Sequence, residues 1–206
     1  MTDDATRRGR RVYDAWAEYG VSYRAVDRLT RPVRRTAVEE LDLEAGERVV
    51  DLGCGPGGSF SLLAAAVGQR GDVLGVDYSA GMARSAGRTA AEVPSASVVQ
   101  SDAATLPLCA DSVDAVFASL ALSAMPELGA VLDEIDRIVR PGGRLVIVDG
   151  RVPDGRIGDA VQRLYRRLVN FRNPELLGSL RDRFNAVTVV DTFDADLGFI
   201  ARVEIG

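Results

Sequence analysis

Residues Val49-Val50-Asp51-Leu52 form a short apolar run that ends in Gly53-Cys54-Gly55-Pro56-Gly57-Gly58, and a helical pattern follows from Ser59 to Val67. A buried strand that turns through glycines directly into a helix is the opening of a βαβ unit, and such a unit needs a parallel neighbour strand. Val73–Asp77 supplies it. The alternation continues through a helix over Ser79–Ala91 that Ser79 can cap, a third strand at Ser97–Gln100 and a fourth at Val113–Leu120. A helix over Leu128–Val139, a tight turn at Pro141-Gly142-Gly143 and a fifth strand at Arg144–Asp149 complete it. Strands this short and this apolar suit a sheet covered on both faces. Ahead of the sheet, 5–19 and 22–41 read as helices, with Pro32 expected to break or restart the second. Behind it, Pro174–Phe184 reads as a short helix, and Val187–Phe193 with Gly198–Ile205 as a closing hairpin.

A chain of 206 residues with 47% hydrophobic residues is sized for one domain with a full core. No apolar run approaches the roughly 20 residues that cross a bilayer, and the first residues are acids and arginines rather than an apolar leader. The expectation is a soluble cytoplasmic protein. There is no histidine and no lysine. That removes His-based general bases and metal sites, Schiff-base lysines and a phosphate-loop lysine. Cys54 and Cys109 are too few for a zinc ribbon, so no metal centre is expected. Net charge is −5, unevenly spread: residues 36–150 are strongly acidic, whereas 1–35 and 151–183 are each net basic. An acidic body does not suit binding along a nucleic-acid backbone.

The glycine loop admits two readings. Gly53, Gly55 and Gly58 satisfy the G-x-G-x-x-G dinucleotide pattern, with Asp77 at about the distance of a ribose-binding acid. Against a pyrophosphate stands Asp51, a carboxylate immediately ahead of the glycines that suits a cationic ligand instead. Some fifty residues also precede the loop, and no His or Lys is present to serve hydride transfer.

The second reading is acid-x-Gly-x-Gly-x-Gly, here Asp51 with Gly53, Gly55 and Gly57. Four further segments follow in order: Gly75-Val76-Asp77-Tyr78-Ser79, Ser101-Asp102-Ala103, Val113-Asp114-Ala115-Val116-Phe117-Ala118-Ser119 and Arg140-Pro141-Gly142-Gly143-Arg144-Leu145. Over residues 49–150 the chain resembles the class I S-adenosylmethionine-dependent methyltransferases. The resemblance implies an α/β fold, a Rossmann-like, seven-stranded, mostly parallel sheet with helices on both faces and an antiparallel C-terminal hairpin. It implies one domain over 1–206: a helical N-terminal cap (1–41), a cofactor-binding core (42–150), a helical cap segment (151–185) and the hairpin (186–206). The implied cofactor is S-adenosyl-L-methionine, with S-adenosyl-L-homocysteine as product.

The resemblance also assigns roles. Gly53, Gly55 and Gly57, with the backbone of Cys54, would lie along the methionine part, beside Asp51. Asp77 would accept both ribose hydroxyls. Asp102 would accept the adenine amino group, with Ala103 donating its N–H. Tyr78 and Met82 would pack on the ribose–adenine edge, and Ser119 and Leu120 under the sulfonium. Because the donor is already activated, orientation carries much of the rate, and a base is needed only if the acceptor must lose a proton. Asp149, at the end of the fifth strand, and Tyr13, on the first helix, are the candidates for that base. The layout, with Tyr13-Asp14-Ala15-Trp16 and Arg34-Arg35 ahead of the sheet, is similar to quinone-precursor C-methyltransferases and phospholipid N-methyltransferases. Ser119-Leu120-Ala121-Leu122 stands where base-amino methyltransferases carry Asn-Pro-Pro-Tyr, which points to small-molecule acceptors. Arg7, Arg8, Arg10 and Arg11, with Arg163, Arg166 and Arg167, form a basic rim that either contacts an anionic, membrane-associated acceptor or merely solvates its helices. A cofactor-binding regulator or subunit that transfers nothing stays open beside the enzyme.

Overall fold

The computed structural model describes residues 20–151, 171–194 and 197–206, with side chains from residue 27 onward. The helix expected over 5–19, with Tyr13 and Trp16, and the basic segment around Arg163, Arg166 and Arg167 lie outside the described residues.

Seven strands form one sheet: β1 (Arg48–Leu52), β2 (Asp72–Asp77), β3 (Ala96–Gln100), β4 (Val113–Ser119), β5 (Val139–Gly150), β6 (Ala186–Phe193) and β7 (Gly198–Glu204). Their spatial order is β3-β2-β1-β4-β5-β7-β6. The first five are mutually parallel, and β7 pairs antiparallel with both β5 and β6. The helices are α1 (Gly20–Glu39), α2 (Phe60–Val67), α3 (Ala80–Ala90), α4 (Leu128–Ile138) and α5 (Leu176–Arg183).

The strand alternation sorts the core into two layers. Val49, Ala115, Phe117, Val146 and Val148 pack with Ala37, Val38, Phe60, Leu63 and Ala86, so α1, α2 and α3 cover one face. Val50, Val116, Ala118, Leu145 and Ile147 pack with Val131, Leu132, Ile135, Leu176 and Leu180, so α4 and α5 cover the other. Neighbouring residues of one strand thus serve opposite layers, the period-2 logic of a pleated strand. The expected seven-stranded, doubly covered sheet with its antiparallel hairpin is the observed fold.

Two local expectations are corrected. Pro32 lies inside α1 without ending it. The ring costs one backbone hydrogen bond, but Ala37, Val38 and Leu41 beyond it are buried against the sheet, and that packing holds the helix through the lesion. Pro141-Gly142-Gly143 is not a turn ahead of β5; it lies within the strand. Pairing with β4 begins at Val113↔Val139 and resumes at Ala115↔Arg144, so three extra residues bulge out between. Gly142 adopts φ +78°, its N–H donates to the carbonyl of Ile205 at 2.7 Å, and Ile205 returns a bond to Gly143 at 2.9 Å. The glycine chemistry is that of a turn, spent on a bulge that ties in the end of β7.

Phe60, fully buried on the first turn of α2, sets the glycine loop against the sheet. A Cβ on Gly57 would stand 2.7 Å from its ring, and one on Gly75 would run into the same ring. Phe60→Ala is expected to cost about 3–5 kcal/mol of stability, read as a lower midpoint in urea unfolding with little change in slope.

Candidate functional site

Because β1 to β5 run parallel, their carboxyl ends share one edge of the sheet. Strand order reverses between β1 and β4, and a cleft opens there, where open α/β sheets bind ligands. The cleft collects Asp51, Gly53, Cys54, Gly55, Asp77, Tyr78, Met82, Asp102, Ala103, Ser119 and Leu120 in one place. Two described sequence candidates, Gly57 and Asp149, are elsewhere, and a third is not described. Tyr13 is outside the described residues. Gly57 does not line the cleft; its φ of +86° and its approach to Phe60 make it a packing position behind the loop. Asp149 does not line the cleft either.

The glycine loop is stitched to β2. The N–H groups of Gly53 and Cys54 both donate to the carbonyl of Val76, at 2.8 and 3.0 Å. Asp77 Oδ2 accepts from Gly55 N at 2.9 Å, and Oδ1 accepts from Ser79 N at 2.8 Å. One carboxylate therefore joins the loop after β1 to the turn after β2, and Ser79 caps α3 by accepting from Met82 N at 3.1 Å. On the adenine side implied by the resemblance, Asp102 Oδ1 accepts from Ala104 N at 3.0 Å. Glu134 and Arg137 of α4 hold the rest of that loop: Glu134 accepts from Leu106 N at 2.7 Å, and Arg137 donates to Leu108 O at 2.8 Å. Arg137, bonded to Glu134, holds that carboxyl below the usual carboxylate range.

Asp51 closes β1 with 2% of its surface exposed, and its Oδ2 has no hydrogen-bond partner among the described residues. Burial pushes its pKa from an ordinary 3.8 to about 7, with Arg34 pulling down and Asp77 pushing up. Cys54 is also buried, and burial with the two nearby aspartates pushes its thiol up, so it is neither a nucleophile nor a base at neutral pH.

Sequence reasoning missed the wall contributed by α1. Asp27, Thr30 and Arg34 line the cleft. Arg34 is 6% exposed; its Nη2 donates to Asp27 Oδ1 at 2.6 Å and to the Asp27 carbonyl at 2.8 Å. Its Nε lacks a partner among the described residues. The pair rests on the loop at Gly58, where a Cβ would run into both side chains. The available signal was the spacing: seven residues apart is two helical turns, one face of α1. Beyond β4, Leu120 adopts φ +53°, and a short 3-10 helix over Leu122–Ala124 follows. Ala121, Ala124 and Met125 of this turn line the cleft, beside Pro126 and Val131.

Asp149 serves that turn. It is 1% exposed and accepts from Ser123 N at 3.0 Å and from its own neighbour Gly150 N at 2.8 Å. Burial raises its pKa against the pull of the Ser123 hydroxyl and the N–H groups of Ser123, Gly150 and Ala121. A carboxylate so enclosed holds backbone; it has no open side toward the cleft.

Residues 50–147 match the family model of the methyltransferase domain. Over 140 residues the chain is 35% identical to a 2-phytyl-1,4-naphtoquinone methyltransferase of Synechococcus elongatus, an alignment covering 66% of this chain and 60% of that one. The chain spans between 41% and 60% of the length of the curated relatives it matches. Among solved structures it superposes on a SAM-dependent methyltransferase from Aquifex aeolicus with a TM-score of 0.68 at 22% identity, covering 84% of this chain and 89% of that one. It also superposes on a geranyl diphosphate C-methyltransferase from Streptomyces coelicolor with a TM-score of 0.72 at 18% identity, covering 87% and 80%. Residues 50–147 of this chain thus match a methyltransferase domain, their motifs lie at the carboxyl edge of its sheet, and its fold is that of the S-adenosylmethionine-dependent methyltransferase from Aquifex aeolicus.

Proposed function

We propose that the chain binds S-adenosylmethionine in the cleft at the β1–β4 switch point and transfers its methyl group to a small-molecule acceptor. The observation that carries this reading is a pair of buried, opposite, incompletely partnered groups in one cleft: Asp51 Oδ2 and Arg34 Nε. A ligand ending in an ammonium and a carboxylate satisfies both, and the methionine end of this cofactor is such a group. Asp77 and Asp102 stand further along the cleft for the ribose and the adenine, and the glycine loop lets backbone approach between them. Bound there, the cofactor supplies a methyl group already activated on a cationic sulfur.

The residues then work by placement. Leu120, Ala121, Met125, Pro126 and Val131 give the cleft an apolar wall that excludes water and orients an apolar acceptor. No side-chain base is assigned: Asp149 is sealed behind the turn and the Cys54 thiol is protonated. For the acceptor we favour an apolar body with an anionic or membrane-associated end. The names of the quinone and geranyl diphosphate relatives and the two net-basic segments support it. Among the described residues no helix is long and apolar enough to cross a membrane.

Calorimetric titration with S-adenosylmethionine, S-adenosylhomocysteine and NAD⁺ tests the reading. Micromolar binding of both adenosyl ligands and none of NAD⁺ is expected, with Asp77→Ala abolishing it; binding of NAD⁺ alone would sink the proposal. Arg34→Gln removes a charge-assisted bond and is expected to weaken S-adenosylhomocysteine by about ten- to a hundredfold.

Asp51 makes the affinity pH-dependent. Its ionised form attracts the ammonium, and that form is lost as pH falls through about 7. Affinity should drop about tenfold from pH 8 to pH 6, and Asp51→Asn should flatten the profile. Stability follows the opposite sign. Between 3.8 and about 7 the folded chain holds a proton here that the unfolded chain releases, so this group's contribution to stability declines as pH rises through that window. Asp51→Asn should therefore raise the melting temperature of the unliganded protein at pH 8 while weakening ligand binding.

A further inference from the structure

We infer that Asn173 is a positioning residue for the cofactor site, acting through the turn after β4 and the glycine loop; the inference rests on the cofactor reading above. Asn173 follows β5 by some twenty residues and does not line the cleft. Both hydrogens of its Nδ2 are nonetheless spent on the turn that does: they go to Leu122 O and Met125 O, each at 2.8 Å. Its backbone N–H and that of Arg172 both donate to Ser123 O, at 2.9 and 2.7 Å. Three carbonyls of a five-residue turn are thus held from one side. Asp149 holds the N–H groups of Ala121 and Ser123 from the other.

The clamped turn bears directly on the loop. A Cβ on Gly53 would stand 2.6 Å from Ala121 Cβ and 3.4 Å from Met125 Cε. Gly53 itself sits at φ +71°, tied to Val76 O. No slack separates turn from loop, so the turn cannot shift toward β1 without moving Gly53. The carboxamide of Asn173 therefore sets where the glycine loop lies under the methionine end of the ligand. The ribose and adenine end rests on Asp77, Asp102 and the loop that Glu134 and Arg137 hold, none of which Asn173 touches, and it meets the glycine loop at the bond from Gly55 N to Asp77.

That separation gives a test that general damage to the fold would not mimic. Asn173→Ala removes both donors. Asn173→Asp keeps the shape but turns a carboxylate oxygen toward two carbonyls. Each variant is titrated with S-adenosylhomocysteine and with 5′-methylthioadenosine, which lacks the amino-acid end. Both variants are expected to bind S-adenosylhomocysteine about tenfold more weakly and 5′-methylthioadenosine within about twofold of the native protein. Unchanged binding of both ligands, or equal weakening of both, overturns the role. If neither variant folds, hydrogen exchange on the native protein decides. Coupling is reciprocal, so S-adenosylhomocysteine should slow exchange at the amides of Arg172 and Asn173, and unchanged exchange there overturns the inference. A native protein that binds no S-adenosylhomocysteine defeats the cofactor reading itself, a result distinct from either variant outcome.

Discussion

A buried carboxylate that the protein does not fully satisfy governs the organisation of this cleft. Asp51 ends β1 at the floor of the site, and an ionised group taken out of water without full hydrogen bonding is costly. The fold answers by placing Arg34 nearby and by letting the pKa rise to about 7 rather than by supplying a second bond. On the proposed function a cationic ligand would remove the penalty, so that part of its binding energy would be relief of a cost already present in the folded chain, and the same residue would trade stability of the unliganded protein against affinity.

Everything around Asp51 is arranged to hold backbone in place rather than to present reactive side chains. Asp77 spans the glycine loop and the turn that opens α3. Thr89, near the end of α3, donates to the carbonyl of Pro56 at 2.7 Å and pins the crest of the same loop. Glu134 and Arg137 do the equivalent for the loop after β3. Asp149 belongs to this group: its burial and raised pKa resemble those of a catalytic acid, but its bonds run to the turn after β4 and to the backbone of Gly150 beside it. Perturbed titration marks a site of interest, and the partners decide whether the role is chemical or positional.

Local periodicity made the sheet readable. Alternating residues of β1, β4 and β5 serve opposite layers, so each strand reads as an apolar run with turn residues at its ends. The strand-end acids were readable for the same reason, since Asp51, Asp77 and Asp102 each sit where a strand stops at the carboxyl edge. Three features depended on tertiary context. Pro32 is a helix breaker in isolation, yet packing of the residues beyond it carries α1 through. Pro141-Gly142-Gly143 signals a turn, and whether that turn precedes the strand or bulges within it depends on where β4 and β7 pair. Arg34 and Asp27 lie on a helix ahead of every motif, and only the fold of α1 over Gly58 brings them to the cleft.

The distribution of satisfied and unsatisfied charge separates framework from site. Glu47 bonds to both Arg140 and Arg144, and Arg140 also reaches Asp114, knitting the amino-terminal ends of β1, β4 and β5. Arg183 reaches Asp133 and Asp136 and fastens α5 to α4. These pairings tie framework elements to one another, and none of their residues lines the cleft. Among the described residues only three buried side-chain atoms lack a partner: Arg144 Nε, within the framework network, and Asp51 Oδ2 with Arg34 Nε. Two of the three share one cleft and carry opposite charge. Buried polar groups are otherwise satisfied almost everywhere in folded proteins, so two oppositely charged exceptions on residues that line one cleft set its electrostatic character. A neutral or singly charged ligand would satisfy one and leave the other. A group carrying both an ammonium and a carboxylate satisfies the pair at once, and on the function proposed above that group is the methionine end of the cofactor.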